Sequence, residues 1–408
     1  MHILFISQYF PPEVNTPAAR TAEHAEVWAK DGHKVTVLTA FPHHPTGVVP
    51  RRYRRRALMR ENCNGINVIR TFVYPAANRG FFKRILSYVS FMASACLLGP
   101  FWIRKPDVVV ATSPQFFVAI AGWVLSKIRR APFIFEVRDL WPASITAVHA
   151  MKEGFVLRLL EVIEMALYHA AAKVIVVTDA TKHVLVDRGI PADKVAVVEN
   201  GVDLAAFSVA SSEEVIRRRL RLDGKFVVSY IGTHGMAHSL HTVLECAAEL
   251  QGVPEICFLL VGDGAEKSKL LALHRELGLR NVSFLPQQPR EVVPSLLAAS
   301  DVCLVPLKKA ELFRTVVPSK IFGIMAAAKP ILLSVDGEAR SIVEQVGAGV
   351  FVPPEDPEAM AATIRQLKAS PAKREAMGAA GRRYVETRMN RNRWARQYET
   401  ILARVSRS

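Results

Sequence analysis

The sequence predicts an α/β protein made of two doubly wound, parallel-sheet halves that face each other across a cleft. Three observations carry that expectation. The chain has 408 residues and is 50% hydrophobic, too long for one ordinary domain and suited to two cores of roughly 200 residues each. Short, apolar, β-branched runs alternate with longer helical patterns, as parallel strands covered on both faces require. The alternation then restarts after Asn200-Gly201, so the pattern is executed twice, with right-handed crossovers expected in each half.

In the first half, strands are predicted at Ile3–Ser7, Lys34–Thr39, Ile66–Phe72, Asp107–Thr112, Phe133–Val137, Lys173–Thr178 and Lys194–Val198. A helix separates the first two. Thr16 reads as its N-cap, Pro17 takes N1, and Gly32 follows the last turn. The second half offers strands at Phe226–Ile231, Ile256–Val261, Val282–Leu285, Val302–Pro306, Pro330–Ser334 and Gly349–Val352, with helices such as Ser239–Leu250 and Ala265–Leu277 between them. Residues from about 357 onward are helical in composition and end rich in arginine.

Composition narrows the function. Cys63, Cys96, Cys246, Cys257 and Cys303 are odd in number and contain no CxxC pair, which argues against a disulfide framework or a structural zinc and for a reducing compartment. The apolar run at the N-terminus is too short for a signal peptide and reads as a buried strand. The formal net charge is +16, and residues 1–110 hold 15 Lys/Arg against 6 Asp/Glu, including the tract Arg51–Arg56. Such an excess suits an anionic partner, or simply a solvated basic surface. Ile85 to Ile103 carries no charge and is flanked by Lys83, Arg84, Arg104 and Lys105. Its length approaches a membrane span, but serines dilute it, Gly99-Pro100 is expected to break it, and a strand follows at once. It reads as a helix partly buried in the domain, whose outer face either dips into lipid headgroups or is plainly buried.

Open α/β sheets bind ligands outside the carboxyl ends of their strands, so the post-strand loops hold the candidate chemistry. No GxGxxG follows the first strand and no GxxxxGK[ST] occurs, which removes the main support for dinucleotide oxidoreductase and P-loop readings. Gln8–Pro17 precedes a helix whose free N–H groups suit an anion, or it is only a well-capped helix start. Phe135–Pro142 delivers Glu136, Arg138 and Asp139 to the sheet edge, where Asp139 holds a sugar hydroxyl, acts as a base, or merely pairs with Arg138. In the third loop, Gly232, Thr233, His234 and Gly235 allow a close backbone approach before a helix. Gly262, Asp263 and Gly264 form either a further ligand loop or a tight turn. Pro318 opens a helix with Ser319 and Lys320 in its first turn. A lysine there opposes the helix dipole by a few tenths to about 1 kcal/mol, which is reasonable if an anion sits between them. Lys320 is thus the leading phosphate candidate, with Arg314 assisting.

The ordered set of motifs resembles the retaining GT-B glycosyltransferases of family four. The matching stretches are Tyr9–Glu13, Gly32–Thr39, Asn200–Asp203 with Phe207, Val261–Gly264, Ala299–Asp301 and Pro318–Lys320. Arg138–Pro142 and Pro318–Lys320 look like the branch that builds O-antigen, capsule and colanic-acid polysaccharides, including N-acetylfucosaminyl transferases. The resemblance implies a nucleotide-diphosphate sugar, UDP above all, in the C-terminal domain (206–385). It implies a lipid-linked or saccharide acceptor on the N-terminal domain (1–205), with Asn15, Thr16 and Arg20 on the acceptor side. A last helix (386–408) is expected to return to that domain, and no obligatory metal or other cofactor is expected. The chain departs from the family at several points. Thr315 and Gly323 stand where many members have two glutamates, the second of which holds the donor ribose. Arg138 stands where many have a histidine, and Asn15-Thr16 where paired glycines are usual.

Breaking the anomeric C–O bond leaves a charged diphosphate and a cation-like ring. Fixed donors aimed at the growing charge are then the main catalytic requirement, to be supplied by Lys320, Arg314 and helix N-termini. Asp139 is the carboxylate expected beside the oxocarbenium-like centre. The expected setting is the cytoplasmic, inner face of an anionic membrane. The alternatives are a nucleotide-sugar 2-epimerase of the same fold and a basic nucleic-acid-binding protein. The latter lacks aromatic interleaving and any recognised binding motif, so no nucleic acid is expected.

Overall fold

The computed structural model describes residues 1–77, 81–113, 116–147, 154–208 and 213–407. They form two compact units, Met1–Asn200 with Arg391–Ser408 and Gly201–Asn390.

The first unit is built on an eight-stranded sheet. Its strands are β1 (His2–Ile6), β2 (Lys34–Ala40), β3 (Leu58–Cys63), β4 (Ile66–Thr71), β5 (Val108–Thr112), β6 (Phe133–Val137), β7 (Lys173–Val176) and β8 (Val195–Val197). They run in the order β3-β4-β2-β1-β5-β6-β7-β8. All neighbours are parallel except β3 and β4. β1, β5 and β6 are buried throughout, as strands covered on both faces must be. β3 is absent from the sequence-based expectation. It forms a two-residue hairpin with β4 through Asn64 (φ 51) and Gly65 (φ 84), a pair of left-handed residues that Asn-Gly adopts at little steric cost.

The helix after β1, Thr16–Lys30, is capped by Asn15 rather than Thr16. The Asn15 Oδ1 accepts from Ala18 N at 2.9 Å, so Thr16 becomes the first helical residue and Pro17 the second. The helix Phe81–Trp102 also differs from expectation. It continues through Gly99-Pro100 to Trp102. Pro100 lies in the final turn, where it forfeits one bond, the one to the Cys96 carbonyl, and interrupts no later turn. The last helix, Arg391–Arg407, packs on Thr16–Lys30 within this unit. Trp28 Nε1 donates to Ala395 O at 2.9 Å, and Tyr398 meets the Trp28 ring edge-on at 5.3 Å.

The second unit has a six-stranded, all-parallel sheet of β9 (Phe226–Ile231), β10 (Ile256–Val261), β11 (Val282–Leu285), β12 (Val302–Pro306), β13 (Ile331–Ser334) and β14 (Gly349–Phe351), ordered β11-β10-β9-β12-β13-β14. Its core joins Val228, Tyr230, Val243, Leu244, Phe258, Leu304 and Met360, all buried. The strand order reverses between β9 and β12 here, and between β1 and β5 in the first unit. Such switch points open a crevice at the strand carboxyl ends. The five cysteines are free thiols.

Candidate functional site

In the second unit the loops after β9 and β10 meet back to back. A Cβ on Gly262 would sit 1.9 Å from Gly232 O, and one on Gly264 would sit 2.4 Å from His234 O. Both close approaches exclude any side chain. Gly232 N donates to Val261 O and His234 N to Asp263 O, each at 2.9 Å, and Asp263 Oδ1 accepts from Gly264 N at 2.7 Å. Asp263 is thus a turn-former by its contacts.

Onto this floor the helix Lys320–Ala326 projects Lys320. Its stem is partly exposed, but its Nζ is enclosed without a hydrogen-bond partner among the described residues. The ammonium stands 3.8 Å above the Tyr230 ring centroid. Burial drives its pKa down to about 7, because the charged form loses water and gains only a ring face. The Tyr230 hydroxyl donates to Thr233 O at 2.6 Å, which fixes that ring. His234 is fully buried, and both ring nitrogens lack partners among the described residues. Burial, with Lys267 and Lys320 nearby, lowers it to about 4. His238 is lowered to about 3, by burial first and then by Lys320. Two neutral imidazoles and an unsatisfied ammonium therefore surround Tyr230. This is a cluster of enclosed nitrogen groups with Asp263 as its nearby carboxylate, and unsatisfied buried groups of this kind mark a position with a role beyond packing.

Ser319 precedes the helix in αR conformation and makes no capping bond. Arg314 is exposed and already paired, with Glu311 at 3.3 Å and Asp336 at 3.8 Å, so its charge is spent on the protein surface. A Cβ on Gly323 would touch only Phe207, at 3.8 Å, so the position has room but no carboxylate. Gly235 lies under the His238 ring. Tyr230 and His238, the flanks of the third loop, belong to this neighbourhood, and so does Lys267, which the sequence reading does not include. Lys267 Nζ donates to Gly262 O at 3.2 Å and sits 4.5 Å over the Phe284 ring. Its signal was present, since it opens the helix Lys267–Glu276 against the dipole, as Lys320 does in its own helix.

The first unit carries a second cluster. Arg20 is buried and uses all its donors internally. Nε donates to Glu136 Oε1 at 3.0 Å, Nη1 to Glu199 O and Asn200 Oδ1, and Nη2 to Val198 O. It ties the helix after β1 to β6 and to the segment 198–200, and works as an internal brace. Arg138 and Asp139 make no ion pair with each other, and the buried Nε and Nη1 of Arg138 lack partners among the described residues. Both backbone N–H groups donate to Ser113 Oγ, at 2.7 and 3.4 Å, which anchors the turn after β6. Burial raises Asp139 against the lowering pull of Arg138. Burial, with Arg20, lowers Arg138. Near the same edge, the Asn15 Nδ2 has no partner among the described residues while its Oδ1 caps the helix, and Thr16 is exposed.

Two family models match the chain in tandem, "Glycosyl transferase 4-like domain" over residues 15–201 and "Glycosyl transferases group 1" over 212–384. Both models describe glycosyl transferases, one over each unit, and together they make the chain a glycosyltransferase. One relative is the putative colanic acid biosynthesis glycosyl transferase WcaI of Escherichia coli K12, 28% identical over 98% of each chain. The solved structure of Anabaena HepE with UDP and glucose superposes with a TM-score of 0.75 at 18% identity, covering 98% of this chain and 99% of that one. Sucrose-phosphate synthase of Thermosynechococcus elongatus gives 0.76 at 19% identity, covering 99% and 98%. These likenesses show two Rossmann-like, parallel-sheet units of the GT-B type. This enzyme is a glycosyltransferase, and the matches do not favour an epimerase.

Proposed function

We propose that this glycosyltransferase moves a sugar from a UDP-activated donor, held by the second unit, to a lipid-linked or saccharide acceptor held by the first. The product is a cell-surface polysaccharide precursor, and the anomeric configuration is retained. The observation that carries the proposal is the enclosed Lys320 ammonium above Tyr230 and beside Gly232, without a hydrogen-bond partner among the described residues. A diphosphate supplies the missing acceptors, and its charge restores the ammonium's preference for its proton. The complexes of HepE with UDP and with UDP-glucose and the colanic acid assignment of WcaI support the same donor and product classes.

As the anomeric bond breaks, charge grows on the leaving diphosphate. In this reading Lys320 and the N–H groups of the neutral His234 and His238 supply fixed donors to it, which lowers the barrier without reorganisation. Asp139 lies after β6, and its desolvated carboxylate stabilises the cation-like ring when ionised. The leaving phosphate takes the acceptor proton on the same face, so configuration is kept. N-acetylfucosamine or a related amino or deoxy sugar is the proposed cargo, from the Arg138–Pro142 and Pro318–Lys320 features. Gly323 leaves the ribose without a carboxylate partner.

The test is a thermal-shift panel of UDP-, GDP- and dTDP-sugars, followed by NMR of the transfer product. A ligand of the native state raises the melting point. UDP-sugars are expected to do so, with a product anomer matching the donor. No shift with any sugar nucleotide rejects the donor assignment, and an inverted anomer rejects retention.

A further inference from the structure

The largest apolar exposure in the first unit is gathered on three helices that pack side by side, Phe81–Trp102, Phe116–Arg129 and Phe155–Ala170. Each has an inner face committed to the fold. On the first, Phe91 and Ala95 are fully buried. On the second, a Cβ on Gly122 would sit 2.5 Å from the Ala111 Cβ, so that helix is pressed onto β5. On the third, Leu157, Glu164, Leu167 and Tyr168 face inward. The outer faces are equally apolar. Leu97 is 70% exposed and Phe101 84%, on one stripe with Leu86. Trp123 and Ile128 continue the surface on the second helix, and Phe155 (81% exposed), Leu159 and Val162 (65%) recur at i, i+4, i+7 on the third. A soluble helix carries a polar outer stripe, and a contiguous apolar patch of this kind marks an interaction surface.

The charges around the patch identify its occupant. Exposed Lys83, Arg104, Lys105, Lys127, Arg130 and Arg158 lie on or at the ends of these helices. Only Glu161 and the buried Glu164 oppose them on the helices themselves. Lys127 and Arg130 also line a hollow of about 370 Å³ beside Phe133 and Ala170, at the amino-terminal end of β6 and the carboxyl ends of the second and third helices. Apolar stripes rimmed by cations suit a surface with hydrocarbon below and negative headgroups above. A spanning arrangement is excluded by the packing. Phe82–Trp102 is long and apolar enough to cross a bilayer, yet its inner stripe is fixed against β2 and β4.

We infer that this three-helix face is a monotopic docking surface for an anionic bilayer. Leu97, Phe101, Phe155 and Val162 enter the headgroup–acyl boundary, and the surrounding lysines and arginines bind acidic lipid headgroups. In the basic tract Arg51–Arg56, Arg52 is paired with Glu61 at 2.9 Å and Arg54 donates to Val49 O, while all five arginines stay exposed.

The test is co-sedimentation of the full chain with vesicles of phosphatidylcholine alone or mixed with phosphatidylglycerol. Wild type is expected to sediment with the anionic vesicles and to be released partly, not wholly, by salt, because apolar insertion survives screening. Each of Leu97→Ser, Phe101→Ser and Phe155→Ser is expected to weaken partition roughly tenfold. Lys127→Gln with Arg130→Gln is expected to abolish the preference for anionic over neutral vesicles. All variants should keep the wild-type melting temperature, since the altered side chains lie outside the core. The inference is overturned if wild type stays in solution with both vesicles, or if all three serine variants sediment like wild type. It is equally overturned if wild type is a dimer without lipid that the serine variants dissociate and no form sediments, which makes the face a contact with a second copy. Sedimentation reads no sugar transfer, so its failure leaves the Lys320 assignment intact.

Discussion

Replacing Lys320 by methionine should make the protein more stable and blind to its donor. The ammonium titrates near 7 instead of 10.5. At pH 7 that displacement corresponds to a penalty of at most about 4 kcal/mol, and the partly exposed stem reduces it to roughly 1–3 kcal/mol. The sign follows from proton counts. The unfolded chain keeps this lysine protonated up to about 10.5 while the folded chain releases the proton near 7. Between those limits the unfolded state binds more protons, and this group makes stability rise with pH. Below 7 both states are charged and the full penalty applies. Methionine fills a similar volume without charge, so the variant should gain roughly 1–3 kcal/mol at pH 7 and much less near pH 10. For a unit of this size that is roughly 2–4 °C in melting temperature per kcal/mol. Urea melts of both proteins at the two pH values, with and without UDP, measure it. Wild type alone should be stabilised by UDP. A less stable variant, or one that still responds to UDP, would refute the reasoning that the ammonium is held unsatisfied for an anion.

The same linkage predicts that UDP binding takes up protons, roughly half a proton at pH 7 and near one at pH 8, read by titration calorimetry in buffers of unlike ionisation enthalpy. No uptake would show that Lys320 is already fully charged or does not meet the diphosphate. Asp139→Asn should lower transfer at least tenfold while UDP affinity stays within about twofold, checked by initial rates and calorimetry, since a carboxylate aiding the cation acts mainly in the transition state. Gly262→Ala should destabilise by several kcal/mol or prevent folding, because its Cβ would lie 1.9 Å from Gly232 O; denaturant melts decide. Arg20→Ala should lose roughly 3–5 kcal/mol in the same melts, since it leaves Glu136 buried without its partner.

Much of the strand framework was legible because parallel strands buried on both faces are continuous apolar runs. β1, β2, β5, β6, β9, β10, β12 and β13 need little else to be recognised. β3 was missed because Leu58–Cys63 reads Leu-Met-Arg-Glu-Asn-Cys, polar and on the sheet edge; only Asn64-Gly65 betrayed it. Gly99-Pro100 misled because a proline in a last turn costs one bond and has no following turn to break. Lys320 was legible from a local conflict, a cation at a helix N-terminus. Lys267 shows the same conflict at the start of its own helix. What the sequence withheld was pairing. Arg20 looked available for an acceptor, but Val198, Glu199 and Glu136, far away in sequence, consume its donors. Arg314 was drawn to Glu311 and Asp336 in the same way, whereas the ion pair with Arg138, one of three readings of Asp139, does not form. Such partners are fixed by tertiary packing, which no local pattern encodes.

The seat of the donor is tested most directly by hydrogen–deuterium exchange with and without a UDP-sugar. The account predicts slowed exchange concentrated in residues 230–239, 261–267 and 317–323, and loss of that protection in the Lys320→Met variant. Protection confined to the first unit, or unchanged by removing the ammonium, would contradict it.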